Sequence, residues 1–213
     1  IGCLLLASTR SVTATDYNGV NADVTADDTF SAGGAPTADN NVLGGSTFTW
    51  QGDFSLTNNY AMTGGTNGFD VNGNNGVLSG NLTGANNLTI ADGVGGGTFT
   101  FSGAANNLGG TLLVQDGATA IVTGTSTFAD LDLGEAGGPS AGNLTVDGGA
   151  ASCTVNALGF AGNGGTLNIL NGGALIVDTL DTTPATVNLN LAQGSFETNG
   201  DLTLDIDLNL TNG

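Results

Sequence analysis

A Gly-centred turn recurs along this chain at a nearly fixed interval, and that interval constrains the fold more than any single residue does. The turns read Gln51-Gly52-Asp53, Asn72-Gly73-Asn74, Asp92-Gly93-Val94, Asp116-Gly117-Ala118, Gly148-Gly149-Ala150, Gly172-Gly173-Ala174 and Gln193-Gly194-Ser195. Successive turn glycines lie 20 to 25 residues apart, except for one step of 32 from Gly117 to Gly149. Between the turns, apolar and polar residues alternate, as in Thr47-Phe48-Thr49-Trp50 and Thr98-Phe99-Thr100-Phe101. Alternation sends successive side chains to opposite faces of a strand. One such unit cannot bury its apolar side alone, whereas stacked units share a core. The pattern predicts an all-β, single-domain right-handed parallel β-helix, a β-solenoid with coils of 20–25 residues.

Composition narrows the function. Glycine makes up 38 of 213 residues, but 39% of the chain is hydrophobic and patterned, which argues against disorder. Acidic residues number 19 against one basic residue, Arg10, for a net charge of −18. Such a surface repels phosphate backbones and anionic lipid headgroups, so nucleic acid is not an expected partner. The apolar run Ile1–Ala7 is too short to cross a bilayer, and no membrane span is expected. There is no His and no Lys. His-based triads, His-ligated zinc and Lys Schiff bases therefore have no residues to build on. The expectation is a protein that is not an enzyme. The two cysteines, Cys3 and Cys153, make no disulfide framework, and Cys153 reads as a small buried thiol.

Residues 1–14 read as the remainder of a secretory signal peptide, with Val12 and Ala14 at the −3 and −1 positions of a small-residue cleavage site. Residues 15–45 read as an irregular N-terminal cap or first coil, and residues 46–213 as the solenoid. Within it, Gly110–Val122 aligns with Gly142–Ala150 and Gly165–Val177, each a strand, a Gly turn and a second strand. A third short strand follows at Leu131–Leu133, Leu158–Phe160, Leu180 and Leu202–Leu204. Three strands per coil predict a triangular cross-section. Phe48, Trp50, Phe99, Phe101 and Phe160 fall at core positions. Asn pairs such as Asn58-Asn59 and Asn106-Asn107 fall at corners, where an amide ladder is expected.

Gly142-Asn-Leu-Thr-Val-Asp-Gly-Gly-Ala150 and Gly165-Thr-Leu-Asn-Ile-Leu-Asn-Gly-Gly-Ala174 resemble the autotransporter-associated β-strand repeats of large bacterial surface proteins. They are also similar to the right-handed β-helices of adhesin passengers. The resemblance covers about residues 76–200. It implies a secreted, cell-surface structural protein of a bacterium, serving as stalk, adhesin or filament wall. It supplies no catalytic residue.

Three chemical expectations remain. Asp130 and Asp132 share one strand face, as do Asp205 and Asp207, and these carboxylates are candidate Ca²⁺ or diffuse cation sites. The alternating stretch Leu202–Leu210 predicts an open last strand and head-to-tail association with a second copy. Thr-x-Thr at 47/49, 98/100 and 125/127 raises ice binding, and surface glycans are the other candidate ligand, although the motif is sporadic.

Overall fold

The computed structural model describes residues 15–34, 36, 41–134, 141–161, 164–181 and 187–200. Asp205, Asp207 and the stretch Leu202–Leu210 lie outside the described residues, as does the expected signal segment. Among the described residues there is no helix. Strands fill a 13-stranded and a 7-stranded sheet, and the strand pairings are parallel except between Ala22–Ala26 and Thr29–Phe30. The chain is a β-solenoid.

Strand registers resolve each coil into three faces. The first runs through Asn41–Gly44, Tyr60–Gly64 and Leu82–Gly84, then through the leading halves of Asn106–Val114, Thr125–Leu133, Ser152–Phe160 and Ala174–Asp181, to Ser195–Thr198. The second runs from Ala22–Ala26 through Thr47–Trp50, Asn67–Asp70 and Leu88–Ala91 to the trailing halves of those long strands. The third is the 7-stranded sheet from Ser55–Leu56 to Val187–Ala192. At 4.7–4.9 Å per strand, that sheet spans about 30 Å. The leucines of the predicted third strand stack as expected, Leu131 on Leu158 on Leu180.

The 32-residue step now has a cause. Gly117 turns the chain from the second face to the third, whereas Gly149 turns it from the third to the first. The glycine marker has moved by one coil plus one face. For the same reason the internal alignment holds only in part. Gly142–Asp147 and Gly165–Leu170 pair residue for residue on the third face, but Thr111–Val114 belongs to the second. The two corners look alike in sequence because they need the same backbone. Asn72-Gly73 and Asp116-Gly117 at one corner, and Asn171-Gly172 at the other, all adopt two successive left-handed conformations, with φ between 50° and 87°. Asn, Asp and Gly tolerate that geometry best.

The inward positions form one core. Phe48, Trp50, Phe99 and Phe101 are fully buried and Phe160 nearly so. Aromatic rings are in contact from Tyr17 through Phe48, Phe69 and Phe99 to Phe101 and Phe128, with centroids 4.9–6.0 Å apart along that path. Beyond Phe128 the column continues mainly in Leu, Val and Ile, among them Leu144, Val146 and Ile169. Trp50 fits because its neighbour across the core is Gly76, where a Cβ would lie 2.9 Å from the indole. The indole N–H donates to the carbonyl of Phe54 at 3.0 Å.

The N-terminal edge is covered. Ala22–Val24 lies parallel on Phe48–Trp50, and the antiparallel Thr29–Phe30 closes that sheet edge. Tyr17 and Phe30 pack on Phe48. On the third face no described strand precedes Ser55–Leu56, and side chains bond its edge. Asp27 accepts from the Ser55 N–H at 2.8 Å, and Asp28 from the N–H of Thr57 at 2.7 Å and from its hydroxyl. Capped edges of this kind do not invite a further strand.

At the corner between the third and first faces the backbones stack without clearance. A Cβ on Gly103 would lie 2.3 Å from the Gly80 carbonyl oxygen, and one on Gly124 would lie 2.1 Å from that of Gly103. Even a methyl group there must push two coils apart. Gly124→Ala should therefore lower stability by about 1–3 kcal/mol, the usual cost of overpacking. The drop is read from the urea midpoint, and an unchanged midpoint would show that the corner yields freely.

Candidate functional site

The candidate cation residues Asp130 and Asp132 sit on the second face. Their strand presents Leu131 and Leu133 to the core, so the two carboxylates point outward. Asp130 is exposed and Asp132 half-buried. They border a shallow depression of about 300 Å³ that Thr111, Gly159 and Thr179 also line. Asp132 leans over Gly159, where a Cβ would meet its carboxylate oxygen at 2.4 Å. Calcium takes six to eight oxygen ligands. Among the described residues no three of His, Cys, Asp and Glu gather where they could hold a metal ion.

Outward carboxylates stacked directly on one another in neighbouring coils would repel. In the described ladders no acidic residue pairs with another. Asp23 and Asp70 flank Thr49, Asp132 lies between Leu113 and Gly159, and Asp147 pairs with Leu170. The carboxylates find N–H donors instead. Asp53 accepts from the backbone and side-chain amides of Asn75, Asp147 from Asn171 at 2.7 Å, and Asp178 from the Asn199 amide at 2.5 Å.

The corner asparagines also work differently from an amide ladder. Asn67 is fully buried, and its oxygen accepts the N–H groups of Gly45 and Ser46 in the coil before it. Asn106 accepts from Leu82 N–H and donates to the Ser126 hydroxyl. Each side chain serves backbone groups that the turn leaves without a strand partner. An amide-to-amide contact does occur, but on the third face, from Asn190 to Asn168 at 2.7 Å.

Asp92 is a charged residue buried at a turn, 1% exposed. Its carboxylate accepts backbone N–H groups from Gly73 at 2.7 Å, from Gly95 at 3.0 Å and from Gly97. Gly73 belongs to the preceding coil, so one side chain shapes its own loop and ties it to the turn before it. The loop tip, Val94, is 73% exposed. In sequence Asp92 reads as one more turn residue; the run Gly93-Val94-Gly95-Gly96-Gly97 after it is the signal that a side chain must organise the loop. Hydrogen bonds to a charged group contribute about 1.5–3 kcal/mol each. Asp92→Ala should destabilise the chain by roughly 3 kcal/mol or more, and Asp92→Asn by less, since one acceptor oxygen remains. Equal urea midpoints for wild type and Asp92→Ala would refute this role.

Cys153 is fully buried, stacked between Ser126 and Leu175 on the first face. Burial pushes its thiol from the ordinary 9.0 up to about 12. Tyr17 is raised from 10.0 to about 12, by burial and then by Asp28. Tyr60 is raised as well, by burial and then by Tyr17 and Asp28. These groups keep their protons in the folded chain at a pH where the unfolded chain has released them. Alkali therefore favours unfolding. Their contribution to stability should be steady below about pH 9 and fall as pH rises from there through about 12, by up to 1.4 kcal/mol per pH unit per group. Urea midpoints at neutral and alkaline pH check the slope, and Cys153→Ala should remove its earliest part. In the folded chain a thiol reagent should react only as fast as the protein opens.

The third face carries a different array. Its outward positions form two ranks: Asn75, Thr98, Thr119, Asn143, Thr166 and Asn188, then Val77, Thr100, Ile121, Thr145, Asn168 and Asn190. The register runs through these coils without a shift, whereas shifts interrupt the 13-stranded sheet. Side chains link along the ranks: the Thr98 hydroxyl donates to Asn75 at 2.8 Å and the Asn168 amide to Thr145 at 3.2 Å. The three Thr-x-Thr motifs do not share a face, since 47/49 is on the second, 98/100 on the third and 125/127 on the first. No family model matches the chain, and no curated protein or solved structure is significantly similar to it.

Proposed function

We propose that this chain is a non-enzymatic extracellular structural protein, a rigid β-solenoid segment of a bacterial surface stalk or adhesin. The observation that carries this reading is the way the coils are joined. Backbone ladders, buried side chains and Asn and Asp contacts run continuously from coil to coil, so the stack behaves as one stiff rod. Its depressions are shallow, and the aromatic side chains lie in the core rather than at a cleft. Such a surface supports spacing and presentation better than turnover of a small substrate. The acidic exterior favours solubility, with Ca²⁺ and other cations acting as diffuse counter-charge.

A filament built by end-to-end stacking is the second reading, and it would use the same coils. The covered N-terminal edge supports the stalk over it, because Thr29–Phe30, Asp27 and Asp28 occupy the positions a second copy would need. Sedimentation velocity with and without calcium, together with negative-stain microscopy, separates the two. A stalk segment should remain a short monomeric rod as concentration rises. Linear polymers lengthening with concentration would replace it with the filament.

A further inference from the structure

We propose that the third face binds ice. Such a face would bind ice equally on a stalk or on a filament unit. The face matches a ligand that is uncharged, periodic and able to hydrogen-bond in two dimensions.

The periodicity comes from the strands. Neighbouring coils place equivalent side chains about 4.7–4.9 Å apart along the rod, and positions i and i+2 of one strand lie about 6.6–6.8 Å apart across it. Because the register does not slip, the two ranks form a regular two-dimensional grid. Its chemistry alternates hydroxyls and amides with methyl groups. The hydroxyls of Thr98 and Thr100 and the amides of Asn143 and Asn168 can anchor water, while Thr methyls, Val77 and Ile121 leave adjacent water to bond with itself. The links from Thr98 to Asn75 and from Asn168 to Thr145 hold side chains in place before any ligand arrives. Little rotamer entropy is then lost when the water above them orders.

Charge separates this face from the rest. The chain carries a net charge of −18, yet neither rank contains an ionisable residue. The carboxylates of this face lie at the rim: Asp147 ends the strand Gly142–Asp147, Asp53 in the preceding turn bonds Asn75, Asp116 lies in a corner turn, and Asp27 and Asp28 bond the first strand. The second face, by contrast, places Asp23, Asp70, Asp130 and Asp132 outward. A carboxylate organises its own hydration shell and would break a lattice that continues across it. A neutral polysaccharide is the nearest competing ligand. Sugar rings favour exposed aromatic platforms, and among the described residues every aromatic side chain is buried or half-buried.

The test is partition of the intact chain into slowly grown polycrystalline ice, with inhibition of ice recrystallisation as a second readout. Wild type should be enriched in the ice severalfold over an inert protein of similar size. Thr100→Lys and Thr145→Lys, at the centre of the grid, should each lose most of that enrichment. Thr127→Lys, the same change on the first face, should keep it. Circular dichroism and urea midpoints establish that the variants are folded. If a lysine variant does not fold, Thr100→Val removes the hydroxyl with little change of shape and should still weaken both readouts. Exclusion of wild type from ice would overturn the proposal, as would equal losses from Thr100→Lys and Thr127→Lys. Retention on microcrystalline cellulose that Thr100→Lys abolishes, without ice enrichment, would assign the face to a neutral polysaccharide instead. Lateral dimers abolished by Thr100→Lys, without ice enrichment, would assign it to a second copy.

Discussion

Parallel coil-on-coil hydrogen bonding is the interaction from which the other features of this solenoid follow. Each strand must lie about one strand spacing above its predecessor, in register, on all three faces at once. That requirement fixes the corners more tightly than the faces. At Gly80, Gly103 and Gly124 the backbones come so close that no Cβ fits between them. At Asn72-Gly73, Asp116-Gly117 and Asn171-Gly172 the chain must turn through left-handed conformations. The high glycine content is thus a geometric consequence of stacking and not a sign of a loose chain.

The same requirement explains how an acidic protein with so few cations holds together. Turns interrupt the ladders and leave backbone N–H groups without strand partners. Asp and Asn oxygens take their place, as at Ser55 and Thr57 beneath Asp27 and Asp28, at Gly45 and Ser46 beside Asn67, and around Asp92. Many of the carboxylates are partnered by backbone and side-chain amides where another protein would use Lys or Arg. These contacts are less exposed to screening by salt than surface ion pairs are, because several lie at buried or half-buried corners.

The architecture was legible in the sequence because alternation and turn spacing are direct imprints of strand geometry. Strand existence, inward residues such as Phe99 and Leu131, and the outward position of Asp130 and Asp132 all followed from a period of two. Face assignment did not. A strand running into a left-handed Asn-Gly or Asp-Gly turn has the same signature at either of two corners, so Gly110–Val122 aligns one face out of place. Long-range side-chain roles were also hidden. The reach of Asp92 to Gly73, or of Asn106 to Leu82, depends on which residues stack, and stacking is set by loop lengths that vary from coil to coil. The third-face grid is hidden in the sequence for the same reason: its members are Thr, Asn, Val and Ile in mixed order, and only the register aligns them.

The spacing of carboxylates along the ladders bears on how such a chain can lengthen. Asp23 and Asp70 share a ladder two coils apart with Thr49 between them. A tandem copy of one coil would seat each outward aspartate directly on its own duplicate. Like charges placed opposite one another in a sheet are destabilising. Duplication of a two-coil unit keeps the neutral spacer and avoids that contact. The electrostatics of the ladder therefore favour growth in pairs of coils, with neighbours diverging in sequence while alternate coils stay alike.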